Sequence, residues 1–264
     1  MSTPPLTVLV LGATGSIGQL VVAEALRQGH QVRAFVRSVA RAKGLPAPAQ
    51  RVVGDLTQAQ TLLPALEGVD AVVFTHGADG TGKTGAEQVA YGGVRHVLQA
   101  LGARRVRIAM MTAIGTTNRG GAYNRATESP DWKRRGERLL RASGQAYTIV
   151  RPGWFDYNAA DQHRLVLLQG DRRHAGDPSD GVIARQQLAQ VLVSSLTSAA
   201  ACGKTFELVA ERGPAPTDLE PLFAALDADR PGSLDAVRDL DNMPLAQEPE
   251  RVQRDLLQVA ATRP

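Results

Sequence analysis

A short apolar strand that runs directly into a glycine-spaced turn is the feature that most restricts how this chain can fold. Residues 6–18 read LTVLVLGATGSIG, with glycines at Gly12, Gly15 and Gly18. This spacing permits a tight turn, lets backbone N–H groups approach a pyrophosphate, and lets the following helix pack closely on the strand. A helical pattern after the turn and a second apolar strand at 31–36 complete a βαβ unit. The pattern predicts a dinucleotide site with the phosphates at the helix N-terminus.

Strands and helices continue to alternate over the first 150 residues. The predicted strands lie at 51–53, 69–75, 106–111 and 147–150, and the predicted helices at 57–67, 87–101 and 129–142. Alternation of this kind predicts an α/β fold, a Rossmann-type doubly wound parallel sheet. Beyond residue 153 a helix at 185–195, a strand at 205–209 and a helical pattern at 218–226 remain recognisable. We therefore expect one domain, in which residues 6–152 bind the cofactor and residues 153–264 form a small C-terminal substrate-side lobe.

Composition excludes several classes of function. The 30 Lys and Arg residues are nearly balanced by 26 Asp and Glu residues, and the net charge is +4. That balance does not indicate a nucleic-acid partner. Arginines crowd residues 104–141 and acidic residues crowd 218–241, which we interpret as two solvated faces of opposite charge. Apolar runs are shorter than the roughly 20 residues that a membrane span requires, so no membrane partner is expected.

Cysteine usage indicates the compartment. The single cysteine, Cys202, cannot form an internal disulfide, and the N-terminal residues do not resemble a secretion signal. We expect a cytoplasmic protein, either a monomer or a homodimer, with a small-molecule substrate. The sequence carries no CxxC or HExxH pattern, so no metal site is predicted.

The end of the second strand bears on the choice of cofactor. A protein that binds NAD usually places a carboxylate there for the ribose 2′-OH, whereas a 2′-phosphate requires a cation. This chain has Arg33 and Arg37 instead, and no acidic residue lies between Gln31 and Asp55. The sequence therefore favours NADP over NAD, with Arg37 as the expected phosphate contact.

Three motifs together resemble one family. The glycine turn, Gly-Asp-Leu at 54–56 and Thr-Ile-Val-Arg-Pro-Gly at 148–153 are similar to the atypical short-chain dehydrogenase/reductases of the NmrA-like, NAD(P)H-binding branch. The resemblance implies phosphates over the first turn, adenine near the Asp-Leu pair, and nicotinamide beside the segment after Arg-Pro-Gly. A histidine that directly follows the strand at 69–75 either lines the cofactor groove or ends the strand. The expected cofactor-binding residues are Gly12, Ala13, Thr14, Gly15, Ser16, Ile17, Gly18, Arg37, Asp55, Leu56, His76, Gly77, Lys133, Pro152, Gly153, Trp154 and Phe155.

The catalytic residues of the parent family are only partly present. Its reductases carry a tyrosine four residues before a lysine on one helix, and a serine or threonine after a preceding strand. Lys133 matches the lysine and Thr112 matches the hydroxyl residue, but Ser129 stands where the tyrosine belongs. A serine hydroxyl is too weak an acid to replace a phenol, and a serine before Pro130 is typical of a helix cap.

Three explanations of the missing tyrosine stay open. Another acid could enter the pocket, with Tyr157, Asp156 and Tyr123 as candidates. A quinone- or flavin-like acceptor could take a hydride and draw its proton from solvent. The protein could also bind NADP(H) as a redox sensor without turnover.

The aromatic segment 154–158, WFDYN, is expected to form a pocket wall. The sequence therefore predicts an oxidoreductase that transfers hydride to a small, aromatic or quinone-like carbonyl acceptor. Its predicted catalytic residues are Thr112, Lys133 and Tyr157. A nucleotide-sugar epimerase is a weaker alternative. His163 and His174 lie in irregular segments and are expected to be exposed to solvent.

Overall fold

A computed structural model of the chain describes residues 4–78 and 80–264. Its strands are β1 (Thr7–Leu11), β2 (Gln31–Val36), β3 (Gln50–Val53), β4 (Ala71–Phe74), β5 (Arg107–Met111), β6 (Ala146–Pro152), β7 (Trp154–Phe155), β8 (Arg164–Leu168), β9 (Val182–Ile183) and β10 (Lys204–Glu211). Over the described residues they form one sheet, ordered β3-β2-β1-β4-β5-β6-β10-β9-β7, with β8 paired to β10 outside that path. The strands from β3 to β10 in this order pair in parallel.

Helices cover both faces of the sheet. They are α1 (Ser16–Arg27), α2 (Leu63–Leu66), α3 (Gly82–Gly85), α4 (Gly92–Leu101), α5 (Ala122–Thr127), α6 (Ser129–Ala142), α7 (Arg185–Ser195), α8 (Glu220–Ala224) and α9 (Glu250–Ala261). Side chains alternate along β1, so that Val8 and Val10 join the core with α1 and α7, whereas Leu9 and Leu11 join the core with α4, α6 and α9. The predicted doubly wound α/β fold is confirmed.

The parallel pairing brings the carboxyl ends of β1, β4, β5 and β6 to one edge of the sheet. Leu11 pairs with Phe74, Phe74 with Met110, and Met111 with Val150. Ligands of open α/β sheets bind beyond this edge. The register therefore sets the residues that follow these strands side by side, including Gly12, His76 and Thr112.

Two predicted helices differ in the structure. The helix expected over 57–67 is a 3₁₀ turn at Ala59–Leu62 followed by the short α2, because Pro64 lacks the N–H that a continuous helix would use. Thr57 does not cap it, since its hydroxyl donates to Asp55. The pattern at 218–226 forms only the short α8.

The C-terminal residues cover α4 and α6. The sequence analysis missed α9, whose Val252, Leu256 and Val259 are buried in the same core as those two helices. The expected boundary at residue 152 does not divide the sheet, because β10 pairs with β6. Helix α9 packs on α6 and α4.

The expectation of solvated charged faces is wrong for the arginines of α6, although other charged residues of the two stretches, such as Arg104 and Asp218, are exposed. Arginines of α6 are almost completely buried and bind acidic residues of the C-terminal segment. Arg138 pairs with Asp235 at 2.6 Å, and Arg135 pairs with Glu248 at 2.6 Å. The two charged stretches of sequence neutralise each other inside the fold, because a buried charge is tolerated only when it is paired and hydrogen-bonded.

Candidate active site

The glycine turn joins β1 to α1, and it has no room for a side chain at Gly12 or Gly18. Gly12 has a φ of +81°, and a Cβ there would lie 2.7 Å from the backbone nitrogen of His76. A Cβ on Gly18 would lie 2.7 Å from the carbonyl carbon of Gly12 and still closer to its oxygen. No side chain caps the start of α1, and Gly15 and Ser16 are exposed. This helix N-terminus is open to an anion, as the pyrophosphate of a dinucleotide requires.

Arg37 and Asp55 come just after β2 and β3, the two strands that lie on one side of β1 in the sheet. The backbone N–H of Thr57 bonds to the Asp55 carboxylate and lowers its pKa, and the charge of Arg37 contributes to the same shift. Arg33 is engaged elsewhere, since its guanidinium donates to the backbone carbonyls of Ala65 and Glu67. Arg37 is exposed at the carboxyl end of β2, where a ribose 2′-phosphate would lie.

A large, mostly apolar cavity of about 740 Å³ lies beyond β4, β5 and β6. It brings together the predicted residues from four separate parts of the chain. Its lining includes His76, Gly77, Thr112, Lys133, Pro152, Gly153, Trp154 and Phe155. Of the aromatic segment expected to form a wall, Trp154 and Phe155 line the cavity, whereas Asp156, Tyr157 and Asn158 do not. His76 lines the cavity rather than simply ending its strand.

Thr112 is oriented by a buried carboxylate. Its hydroxyl donates to Glu137 Oε1 at 2.7 Å, and the Glu137 side chain is fully buried. Glu137 is fixed by Arg151, with 2.6 Å between Oε2 and Nη2, and Arg151 also binds Asp239 at 2.7 Å. Because the Thr112 proton is committed to Glu137, its oxygen can only accept a hydrogen bond from a ligand in the cavity.

His76 and Lys133 lie on one side of the cavity. Burial lowers the pKa of His76 to about 4, and the charge of Lys133 contributes to the lowering. The imidazole of His76 is therefore neutral near pH 7. A neutral ring can bind polar groups of a ligand but is a poor proton donor.

Ser129 does not cap α6, contrary to the sequence prediction. The residue before the helix is Glu128, in a left-handed conformation with φ of 53°, and the Ser129 N–H donates to Thr127 Oγ1. The Ser129 hydroxyl is buried with no hydrogen-bond partner among the described residues, and it is outside the cavity lining. Another N–H of the first turn, that of Asp131, donates to Asn124 Oδ1 at 3.2 Å, so residues of α5 bond the start of α6.

The three side chains considered as acids in place of the missing tyrosine do not lie together, and only Tyr123 lines the cavity. Tyr157 is 63% exposed, packs edge-on against Trp154 and does not belong to the cavity lining. Asp156 forms an ion pair with Arg185. Tyr123, on α5, lines the cavity but is 55% exposed.

His174 was missed by the sequence analysis. His163 is exposed as expected, but the expectation of exposure is wrong for His174, whose side chain is three-quarters buried and lines the cavity. Its Nε2 lies 3.9 Å from Oδ2 of the buried Asp171. Asp171 in turn accepts the backbone N–H groups of Gly115 and Thr117, at 2.6 and 2.7 Å. Asp171 lies only three residues before His174, but the loop that holds its carboxylate lies more than 50 positions earlier, so the sequence carried no signal for the burial of these two residues.

The described residues show neither a candidate metal site nor a helix that could span a membrane. Among residues 4–78 and 80–264, no group of three or more His, Cys, Asp or Glu side chains is placed to hold a metal ion. No helix in the same part of the chain is long and apolar enough to cross a membrane.

The doubly wound parallel sheet and its open glycine turn define a dinucleotide-binding fold of the Rossmann type, the fold that short-chain dehydrogenase/reductases share. The chain belongs to the NAD(P)H-binding family, whose model matches residues 12–199. This membership confirms the resemblance to atypical members of that class. Sanguinarine reductase from Eschscholzia californica is 27% identical over 84% of this chain and 97% of its own length.

Solved structures share the fold. A protein assigned as an NAD-dependent epimerase/dehydratase from Bacillus halodurans has a TM-score of 0.68 and 24% identity, covering 84% of this chain and all of its own. An NADPH-dependent quinone oxidoreductase from Escherichia coli, complexed with NADPH, has a TM-score of 0.58 and 20% identity, covering 78% and 71%. Several curated relatives are longer, and the chain spans about half of their length.

Proposed function

We propose that this protein is an NADP(H)-dependent oxidoreductase that transfers hydride to a small aromatic or quinone-like acceptor. The observation that carries the proposal is that Thr112 and Lys133 line the same cavity as the aromatic residues Trp154 and Phe155. An apolar cavity with a few convergent polar groups is typical of a small-molecule site. The names of two similar proteins, a sanguinarine reductase and a quinone oxidoreductase, support an aromatic acceptor.

Each part of the groove has a proposed role. The open N-terminus of α1 binds the pyrophosphate, and Asp55 and Leu56 contact the adenine nucleoside. Lys133 and His76 bind the ribose next to the nicotinamide, and Thr112 accepts a hydrogen bond there. When bound, NADPH supplies a hydride from its nicotinamide ring. The apolar wall excludes water and positions a flat acceptor for that transfer.

Turnover tests the proposal. Loss of NADPH absorbance is followed with a panel of quinones, flavins and aromatic carbonyl compounds. We expect steady oxidation with at least one aromatic acceptor. Tight NADPH binding with no turnover of any panel member would contradict the proposed function.

Arg37 is proposed to select NADP over NAD. Replacing it with alanine removes a charge-assisted contact to the 2′-phosphate, which is worth about 1.5–3 kcal/mol, so we expect NADPH affinity to fall about 10- to 100-fold. NADH affinity is expected to change little, since NADH lacks that phosphate. The measurement is a fluorescence titration with each nucleotide. Arg105→Ala is the control, because Arg105 precedes β5 at the opposite edge of the sheet. Equal losses for both nucleotides would exclude this role.

A second candidate function is a redox-sensing regulator that binds NADP(H) without turnover. Ser129 in place of the tyrosine and the commitment of the Thr112 proton to Glu137 favour it. A regulator would bind a partner protein in a way that depends on NADP⁺ against NADPH. The cytoplasmic location and the monomeric or homodimeric state remain predictions from the sequence.

A further inference from the structure

The proposed reduction of a carbonyl acceptor needs a proton as well as a hydride. Thr112 has committed its proton to Glu137, and Ser129 lies outside the cavity lining. The lining holds five titratable side chains, namely His76, Tyr123, Lys133, His174 and Asp180. These five side chains are the candidate proton donors of the cavity.

Four of the five are less suited to donate this proton. Burial keeps His76 neutral, and Lys133 is assigned to the ribose of the nicotinamide. Asp180 accepts hydrogen bonds from the backbone N–H groups of Ala175 and Gly176 at 2.6 and 2.7 Å, so its carboxylate is already engaged in holding the backbone at 175–176. Tyr123 is half-exposed, and such a side chain is held by few contacts.

His174 is held from both sides. Asp171, fully buried, follows β8 in a left-handed conformation, and its own N–H donates to the buried Glu207 at 2.9 Å. Its carboxylate faces His174 Nε2 at 3.9 Å, while Asp180 fixes the two residues after the histidine. At that distance Nε2 makes no hydrogen bond among the described residues, but a carboxylate beside one ring nitrogen favours the tautomer with the proton on that nitrogen and leaves the other nitrogen for a ligand. Since Nε2 faces Asp171, Nδ1 is that nitrogen.

We propose that His174 protonates the carbonyl oxygen of the acceptor, and that Asp171 is the positioning residue that orients its ring. The inference rests on the proposed function. In the step, the carbonyl carbon gains a hydride from the reduced nicotinamide and the C–O π bond breaks. The oxygen takes the proton from Nδ1 of the imidazolium, and the imidazole is reprotonated from water. One carbonyl group, one hydride and one proton give one alcohol; the α-hydroxyketone that forms in this way from an ortho-quinone becomes the hydroquinone when its C–H proton is lost to water and its second oxygen takes up a proton.

A matched pair of acceptors separates the proton from the hydride. Hydride addition to a carbonyl carbon of phenanthrenequinone leaves an alkoxide, so in the proposed step an acid in the cavity must supply a proton to that oxygen for each hydride. N-methylphenanthridinium has the same three-ring outline, but its iminium carbon takes a hydride to give a neutral amine without any proton. General acid catalysis contributes roughly 10²–10⁴-fold. We expect His174→Gln to lower kcat for the quinone by about 100-fold or more and to leave kcat for the iminium within about threefold.

The controls address folding and position. His163→Gln removes an exposed histidine that is outside the cavity lining and should leave both reactions unchanged. Imidazole in the buffer should restore part of the quinone reduction by His174→Ala. Asp171→Asn should lower reduction of the quinone more than that of the iminium, whereas general loss of structure would lower both.

The nitrogen of the His174 ring that carries the proton can be determined in the protein without nucleotide. The ¹⁵N chemical shifts of the neutral His174 ring should show the proton on Nε2, and Asp171→Asn should weaken that preference. Equal effects of His174→Gln on both acceptors, or a ring protonated on Nδ1, would overturn the inference. So would an unmodified protein that reduces only the iminium, although the proposed hydride transfer would then stand. An unmodified protein that reduces neither acceptor would contradict both proposals.

Discussion

Gly18→Ala is expected to abolish nucleotide binding and to lower the free energy of unfolding by about 3 kcal/mol. The added methyl group would lie 2.7 Å from the carbonyl carbon of Gly12 and closer still to its oxygen. Both are backbone atoms of the turn, and the Gly12 oxygen also accepts the N–H of Gly15. The overlap is relieved only if α1 moves away from β1, which opens the phosphate site.

Gly120→Ala is the matched control for this experiment. It adds the same methyl group at an exposed glycine, where a Cβ would have no neighbour within 4 Å among the described residues. Urea denaturation and NADPH fluorescence titration are measured for both variants. The structural reason for Gly18 would be refuted if Gly18→Ala bound NADPH as tightly as Gly120→Ala.

The parts of the fold predicted from sequence depend on local patterns. The glycine turn and the apolar strands are local signals, because the residues that must pack together lie within about 30 positions of each other. His76 was located in the same way, since it directly follows a predicted strand, whereas Thr112 was assigned from the family resemblance, which places a hydroxyl residue after a strand. Their convergence on one cavity follows from the register of β4, β5 and β6.

The burial of the α6 arginines had no such local signal. Arg138 binds Asp235, which lies 97 positions later in the chain. Arg135 binds Glu248, which lies 113 positions later. Charged residues on a helix are usually solvated, and only the path of the C-terminal segment reverses that expectation here. His174 was missed for the same reason, because Asp171 connects it to a loop that begins 56 positions earlier.

Arg151 is expected to dominate stability among the charged residues. Its guanidinium binds Glu137 at 2.6 Å and Asp239 at 2.7 Å, and Glu207 lies 3.4 Å away; all four side chains are almost completely buried. Removing one partner of a buried ion pair costs about 3–5 kcal/mol, because the other charge stays buried without compensation. We expect a loss of at least that size from Arg151→Met, measured by urea denaturation at pH 7.

The pH dependence distinguishes an electrostatic cause from a packing defect. Burial already raises the pKa of Glu207 to about 7 with Arg151 in place. Burial also opposes the charged form of Asp239, but hydrogen bonds from Arg151 hold its pKa below the usual range, so without that cation both carboxylates should bind protons more readily in the folded state. A group whose pKa is raised by folding stabilises the folded state increasingly as pH falls. The deficit of Arg151→Met should therefore shrink between pH 7 and pH 5. Arg164→Met removes an exposed ion pair with Glu211 and should cost less than about 1 kcal/mol at either pH. A deficit for Arg151→Met that matched this control, or that did not change with pH, would show that the buried arginine is not needed to compensate these carboxylates.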